Sequence, residues 1–300
     1  MTTKIRQIQT IWQSYSWFTW TLLGLLAILY GPMLYHWYDG WVNKSIDINH
    51  EYFSHGVIGI PYAAYIAWQS RHKWQELPLK ESPVGAALLT LAAVFYLSGT
   101  PELAHLSFPI VLTGLCLWFK GKAGLRLMAV PLALFWLATP TSLPYLLTSF
   151  TLPLQTFIAH TAALILDQIG MNVEVEQIYL TVDGKSVEVA PYCAGLKMLF
   201  TSGYVSLMLL HWSGNLHRKF IVGWLFASAF VIAVVSNIAR NTILAFFHGS
   251  GQDALFDWLH DSWGGDIYLA LTLGMIVWSL NQLERIYGEF GHAPNAAEQQ

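Results

Sequence analysis

Three residues that lie far apart in the sequence are the best candidates for chemistry: Cys193, Arg240 and His260. Cys193 stands in the segment APYCAGLKMLF, directly before a long apolar run, so we expect it at the N-terminus of a helix. Unpaired backbone N–H groups and the helix dipole lower the pKa of a thiol there, which favours the reactive thiolate. The small neighbour Gly195 leaves room for a substrate backbone. The second cysteine, Cys116, lies inside an apolar run and is interpreted as a buried structural residue.

Arg240 interrupts the apolar stretch FIVGWLFASAFVIAVVSNIARNTILAFF. An arginine inside a membrane costs roughly 2.5 to 3.5 kcal/mol at a helix centre and is therefore a functional candidate. A helix that enters the membrane at Phe220 rises about 30 Å before it reaches Arg240, which places the guanidinium level with Cys193. Asn237 shares the helical face of Arg240 and Asn241 follows it, so both are candidates for contacting a substrate. The alternative is an arginine that reaches the membrane surface with polar companions.

His260 lies in FDWLHDSWGGD, in the loop before the last apolar run. An imidazole serves as general acid or base near physiological pH, which suits a partner for a cysteine nucleophile. His248, in FFHGSGQ, is a rival in the same loop. Independent topology arguments bring Cys193, Arg240 and His260 to one face of the membrane.

The composition predicts a membrane protein, because 55% of the residues are hydrophobic and only 11% are charged, against roughly 25% charged in a soluble domain. A formal charge of -3 offers no basic excess for nucleic acid. Two cysteines exclude a disulfide framework and a four-thiolate metal site. Neither HExxH nor GxSxG occurs in the sequence, so we expect no metal, no cofactor and no serine mechanism.

Apolar runs of about 20 residues, the length that crosses a bilayer, predict an all-α polytopic membrane protein with about eight transmembrane helices. Trp and Tyr often lie near the ends of these runs, as is typical of membrane interfaces. A ninth apolar stretch covers residues 145–168. The predicted spans are 16–34, 53–70, 83–99, 104–119, 126–143, 194–212, 220–241 and 264–283.

Basic residues favour the cytoplasmic side of short loops. With eight spans, all the Lys and Arg clusters between the spans fall on one side, with both termini in the cytoplasm. A ninth crossing at 145–168 would send Arg218, Lys219 and Arg285 outside, so this stretch is predicted as an interfacial helix of the outer leaflet. The first apolar run is too long for a cleaved signal and is interpreted as a retained span.

The segment 172–190 alternates apolar and polar residues around Asp183-Gly184, which predicts a small extracytoplasmic β-hairpin. This hairpin leads through Tyr192 into Cys193. The last residues, 286–300, are predicted to form a mobile tail.

The order of these motifs resembles the exosortase and archaeosortase family: a cysteine in CAGL, an arginine in SNIARN, and a histidine in the loop before the last span. The early segment HEYFSHGVIGIPYAAYIAW, with Ser54 and His55, is similar to the family's aromatic-Ser-His-Gly segment. The resemblance covers roughly residues 50 to 283. CAGL differs from the commoner CSGL by one small residue.

The resemblance implies a membrane cysteine peptidase of transpeptidase type, with Cys193, Arg240 and His260 as catalytic residues. Its substrates would be exported proteins with a C-terminal sorting signal like that of the PEP-CTERM class: a Pro-containing motif, an apolar helix and a basic tail. Cleavage would occur at the outer face of the cytoplasmic (inner) membrane, with water or an amine as acceptor and no nucleic acid partner. The residues expected to bind substrate are Asn237, Asn241, Tyr192, Ser54 and His55.

The alternative is a non-enzymatic transporter or assembly scaffold, in which Arg240 pairs with an anion. Transporters often show two similar halves with broken helices at the bilayer midplane. This sequence shows no such halves, and its polar candidates gather at one face, so the enzyme is favoured.

Overall fold

A computed structural model of the chain describes residues 2–43, 52–189, 195–260 and 262–291. These residues are mostly helical, with one small sheet between the seventh and eighth helices. The helices are α1 Thr2–Asn43, α2 Gly56–Gln69, α3 Arg71–Glu76, α4 Pro83–Leu97, α5 Pro101–Leu127, α6 Ala129–Ala138, α7 Leu143–Gln168, α8 Leu196–Trp212, α9 Lys219–Gly249, α10 Asp253–His260 and α11 Trp263–Gly291. The strands are β1 Val173–Glu176, β2 Tyr179–Val182 and β3 Lys185–Glu188.

Four helical stretches in the described part of the chain are long and apolar enough to cross a membrane. They are Trp17–Asn43, Pro101–Leu127, Lys219–Gly249 and Trp263–Gly288. The helices α4 and α6 are apolar but shorter, and the ten residues of α6 rise only about 15 Å. The chain is therefore a mostly helical membrane protein with several candidate spans, and the number eight stays a prediction.

Several helices extend beyond the apolar runs that predict them. Helix α9 continues to Gly249, past the predicted end at 241. Helix α11 continues to Gly291, into the first residues of the segment predicted as a tail. Here Arg218 lies 5.0 Å from the ring centroid of Tyr287, and the Phe220 ring lies 6.3 Å from it. These contacts stabilise the last turns of α11, and the rest of the predicted tail lies outside the described residues.

Contacts between helices divide the bundle into two ends. At one end the Tyr62 hydroxyl of α2 lies 2.8 Å from His211 Nδ1 of α8, and Asn215 donates to Glu284 of α11. The Lys120 ammonium donates to the carbonyl of Leu77 at this same end, which we call the basic end. The other end is the Arg240 end, where buried side chains from α1, the segment before α2, and α8 form one cluster: Trp37, Trp41, Phe53 and Leu196.

The sheet is an antiparallel meander in the order β1-β2-β3, one strand more than the predicted hairpin. Val182 pairs with Lys185 across the turn at Asp183-Gly184. Both turn residues have positive φ, 49° and 83°, as a tight hairpin turn of the type I′ class requires. The Asp-Gly dipeptide therefore forms the turn between β2 and β3, and a second turn at Gln177 adds β1.

The buried face of the sheet packs between α7 and α9. Leu180 and Val182 contact Leu166 of α7 and Ala245 of α9. A Cβ atom on Gly249 would lie 2.5 Å from a methyl carbon of Val182, so only glycine fits there without a shift. The last turns of α9 and the sheet therefore form one packed unit.

Helix α7 is continuous over the stretch predicted to lie in the outer leaflet. Gln155 of this helix is buried and donates 3.0 Å to the carbonyl of Val189, the last described residue before the CAGL segment. Its C-terminal half thus packs on the sheet at the Arg240 end. The position of α7 relative to the lipid stays a prediction.

Candidate active site

The N-terminus of α8 lies directly against α9. Cys193 and Tyr192 lie outside the described residues, and Gly195 is the first described residue of the CAGL segment. Gly195 has φ +86°, a conformation that side chains with a Cβ rarely adopt. A Cβ there would lie 2.9 Å from both Cγ and Nδ2 of Asn237. The backbone two residues after Cys193 is therefore in contact with the amide of Asn237.

Asn237 is 1% exposed, and neither its Oδ1 nor its Nδ2 has a hydrogen-bond partner in the part of the chain that the structure describes. A buried amide without partners costs about 1 to 3 kcal/mol, and such groups in folded proteins call for an explanation. Asn241 differs, because its Nδ2 donates 2.8 Å to the carbonyl of Asn237 within the same helix. Of the two asparagines, Asn237 is the one whose amide has unused hydrogen-bonding capacity.

Arg240 lies one turn after Asn237 on the same face of α9, and its side chain is half-buried. Its Nη2 would be 3.7 Å from a Cβ on Gly265, in the first turn of α11. The same Cβ position would lie 3.0 Å from the carbonyl oxygen of Leu259 and 4.0 Å from that of His260. The guanidinium and the carbonyl of His260 therefore both lie near Gly265, at the junction of α10 and α11.

Tyr268 of α11 completes this arrangement, and the sequence did not point to it. Its hydroxyl donates 2.6 Å to the carbonyl of Ser236, one turn before Arg240 on α9. Tyr268 also interacts electrostatically with Arg240. A tyrosine in an apolar helix resembles the aromatic residues common at membrane interfaces, so composition alone hides it. Its spacing of three residues from Gly265, which puts both on one helical face, was the available signal.

The two candidate histidines contact the same phenylalanine ring. The His260 ring stacks on Phe256 with centroids 5.2 Å apart and planes 8° apart, and the His248 ring lies 5.2 Å from Phe256 at 44°. His248 Nδ1 is 3.6 Å from the carboxylate of Asp253, which also lies 3.5 Å from the ammonium of Lys185 in β3. His248 is thus turned toward the sheet, whereas the main chain of His260 adjoins Arg240.

Ser54 and His55 lie directly before α2. The described contacts of the His55 side chain are with residues other than those around Arg240. The His55 ring is buried, its Nε2 donates 3.1 Å to the carbonyl of Leu137, and its centroid is 4.3 Å from that of Tyr204. Its Nδ1 has no partner among the described residues. The contacts of His55 are therefore with the end of α6 and the middle of α8, apart from the group around Arg240.

The described ranges contain no cluster of three His, Cys, Asp or Glu side chains able to hold a metal ion. The groups that converge at the Arg240 end are instead hydrogen-bond donors and a positive charge. Such groups suit a site that stabilises negative charge on sulfur or oxygen.

Comparison with known proteins agrees with this membrane setting. The family model described as transmembrane exosortase matches residues 41–277, which is most of the chain and includes Ser54, Gly195, Arg240 and His260. No curated protein matches the chain. No solved structure matches it either. The extent of the family match, over a helical membrane protein, shows that this chain belongs to the transmembrane exosortase family.

Proposed function

We propose that this protein is a membrane cysteine peptidase of transpeptidase type, with Cys193 as its nucleophile. The family is one of cysteine transpeptidases. The chain has two cysteines, and because Cys116 lies well inside α5, Cys193 is the candidate nucleophile. The observation that carries the proposal is the contact between Gly195 and Asn237. It joins the CAGL segment to the turn of α9 that carries Arg240, and both Arg240 Nη2 and the His260 carbonyl lie near Gly265.

The reaction begins with the Cys193 thiolate, which attacks the carbonyl carbon of the scissile peptide and forms an S–C bond. Arg240 stabilises the thiolate and then the oxyanion, a task worth about 2.7 to 4 kcal/mol for one lost donor. The Asn237 amide is a second donor for the oxyanion, which gives its buried N–H groups a partner during the reaction.

Breakdown of the tetrahedral intermediate breaks the C–N bond, and His260 gives its proton to the leaving amine. The product is a thioester on Cys193. Water or an amine then attacks this thioester, His260 accepts the proton of the attacking group, and the thiolate is regenerated. Atoms and charge therefore balance without a metal or cofactor.

The proposed substrates are exported proteins whose C-terminal sorting signal combines a short Pro-containing motif, an apolar helix and a basic tail. We propose that the basic end of the bundle and both termini face the cytoplasm, as the distribution of Lys and Arg favours. The Arg240 end then lies at the outer face of the cytoplasmic membrane, where the motif of a membrane-inserted tail would arrive. The proposal also includes four residues near the place where the motif would arrive: Tyr192, Asn241, Ser54 and His55. His55 would act there indirectly, through its contacts with α6 and α8.

The decisive experiment is co-expression with an exported reporter that carries such a tail. Cys193→Ala is expected to leave the protein inserted in the membrane while the full-length reporter accumulates. Cys116→Ala is the matched control, and it should process the reporter normally. Normal processing by Cys193→Ala would exclude the thiol mechanism.

A further inference from the structure

One helical turn of α9, from Ser236 to Arg240, is held between two other helices. On one side Gly195 at the start of α8 packs on Asn237. On the other side the first turns of α11 present Gly265 and Tyr268. Because Gly265 and Tyr268 are three residues apart in a helix, they share the face that meets Arg240.

We propose that Tyr268 is a positioning residue that fixes the guanidinium of Arg240 in place for the reaction. This inference rests on the proposed function, in which Arg240 stabilises the charge on Cys193. Tyr268 itself touches neither the substrate nor the reacting atoms in this scheme.

The hydrogen bond between Tyr268 and Ser236 determines which part of the Tyr268 hydroxyl is available to Arg240. A carbonyl oxygen only accepts, so the Tyr268 hydroxyl must donate its hydrogen to the carbonyl of Ser236, 2.6 Å away. Only the lone pairs of the phenol oxygen are then left for the guanidinium, which carries donors alone. In an α-helix the same Ser236 carbonyl accepts the backbone N–H of Arg240. Tyr268 thus contacts the backbone turn before Arg240 and interacts electrostatically with the Arg240 guanidinium.

Arg240 needs such a constraint because its side chain is long and its Nε has no hydrogen-bond partner among the described residues. A flexible guanidinium loses rotamer freedom when it is ordered, and that loss opposes every contact it makes. The Gly265 position lies within van der Waals distance of Nη2, and the Tyr268 hydroxyl oxygen is an acceptor on the same face. Helix α11 therefore provides both a packing surface and an electrostatic partner for the guanidinium.

A second hydroxyl contact between α9 and α11 provides a matched control. Ser279 of α11 donates 2.9 Å to the hydroxyl of Ser228 of α9, eleven residues further along α11 from Tyr268. It joins the same two helices toward the basic end, away from Arg240. Ser279→Ala therefore removes an interhelical hydrogen bond without touching the guanidinium.

The test measures the alkylation of Cys193 by a membrane-impermeant maleimide across a range of pH, in a Cys116→Ala protein where Cys193 is the only thiol. Tyr268→Phe should slow alkylation at neutral pH about ten-fold, the effect expected for one hydrogen bond to a charged group, and should move the pH midpoint upward. Arg240→Ala should have a larger effect in the same direction, and Ser279→Ala should match the parent protein. The rate constant depends only on inserted molecules, so a lower yield of a variant does not obscure the result.

A double-mutant cycle separates positioning from a general structural role. If Tyr268 acts through Arg240, then Tyr268→Phe has no further effect on alkylation or reporter processing once Arg240 is replaced by alanine. The same factor of loss in both backgrounds, or an unchanged rate for Tyr268→Phe alone, would overturn the inference and leave the proposed function intact. If Arg240→Ala also leaves alkylation and processing unchanged, then the proposed function itself fails.

Discussion

Two buried asparagines, one at each end of the α9–α11 pair, have opposite environments. Asn215 at the basic end is 3% exposed, and its Nδ2 donates to the Ser213 hydroxyl at 2.9 Å and to Glu284. Asn237 at the Arg240 end is 1% exposed and has no hydrogen-bond partner among the described residues. Each asparagine lies three residues before an arginine that interacts with a tyrosine of α11: Arg218 with Tyr287 and Arg240 with Tyr268.

The arginines differ in the same way. Arg218 lies over the face of the Tyr287 ring, a contact that stabilises the end of a helix. Arg240 interacts electrostatically with Tyr268, while its Nε lacks a partner in the described chain. The Asn215 amide thus has hydrogen-bond partners, whereas the Asn237 amide and Arg240 Nε have none among the described residues. Violations of this kind in folded proteins are expected at functional sites, so the difference separates the structural end from the candidate site.

The two histidines at the Arg240 end allow the strongest test of this comparison. His260→Ala should reduce reporter processing by about 10²- to 10⁴-fold, the usual contribution of a general acid or base. His248→Ala should remain close to wild type, because its described ionic contact is with Asp253 near the sheet. Processing rates in membranes from the two variants give the comparison directly, and the reverse order would move the proton donor to His248.

The two arginines should differ by function rather than by stability. Arg240→Ala should lower processing by about 10²- to 10³-fold, as for the loss of one oxyanion donor. Arg218→Ala should lower only the stability, by about 0.5 to 1 kcal/mol for an exposed cation–π contact. Processing and thermal unfolding in detergent should be measured on both variants. Comparable losses of processing would show that the two ends do not differ as described.

The two asparagines should show opposite effects. Asn237→Ala removes an amide that has no described partner, so it should not destabilise the fold, yet processing should fall about ten-fold for a lost donor to a charged group. Asn215→Ala removes the partner of Glu284 and should cost about 1 to 3 kcal/mol of unfolding free energy. Processing per folded molecule should be unchanged in that variant. A destabilised Asn237→Ala with normal processing would make Asn237 a structural residue.

Two glycines of the α8 segment give the smallest expected effects. Gly195→Ala forces an alanine into a left-handed conformation, which costs about 1 to 2 kcal/mol, and brings a methyl group against Asn237. Gly203 lies inside α8, and a Cβ added there would meet no atom within 4 Å, so Gly203→Ala should stabilise the helix by about 0.5 to 1 kcal/mol. Thermal unfolding of both variants tests this, and equal stabilities would contradict the contact between α8 and α9.

Much of the helical framework follows from hydropathy, because a run of apolar residues marks each long helix. The ends do not, since helices such as α9 and α11 continue past the apolar run where packing supports them: Val182 against Gly249, and Arg218 against Tyr287. The division of the predicted hairpin into three strands was also outside local prediction, because the turn at Gln177 between β1 and β2 lacks the Asp-Gly signal.

In the candidate site too, local sequence patterns identify some residues, whereas others depend on how the helices pack. A charge within an apolar run pointed to Arg240, and helical spacing pointed to Asn237. Tyr268 and Gly265 were not identified, because their roles depend on how α11 is rotated against α9, which no local pattern specifies. His55 shows the converse, since its motif is similar to that of the family while its ring is directed toward Leu137 and Tyr204.

The close fit of Gly249 against Val182 has a mechanical consequence for the helix that carries Arg240. From Arg240 to Gly249 the helix is unbroken, a length of about 14 Å. The sheet is packed on the far end of that length, so it cannot shift without also moving or bending the helix. A polypeptide that displaced the sheet would therefore also displace the helix that carries Arg240.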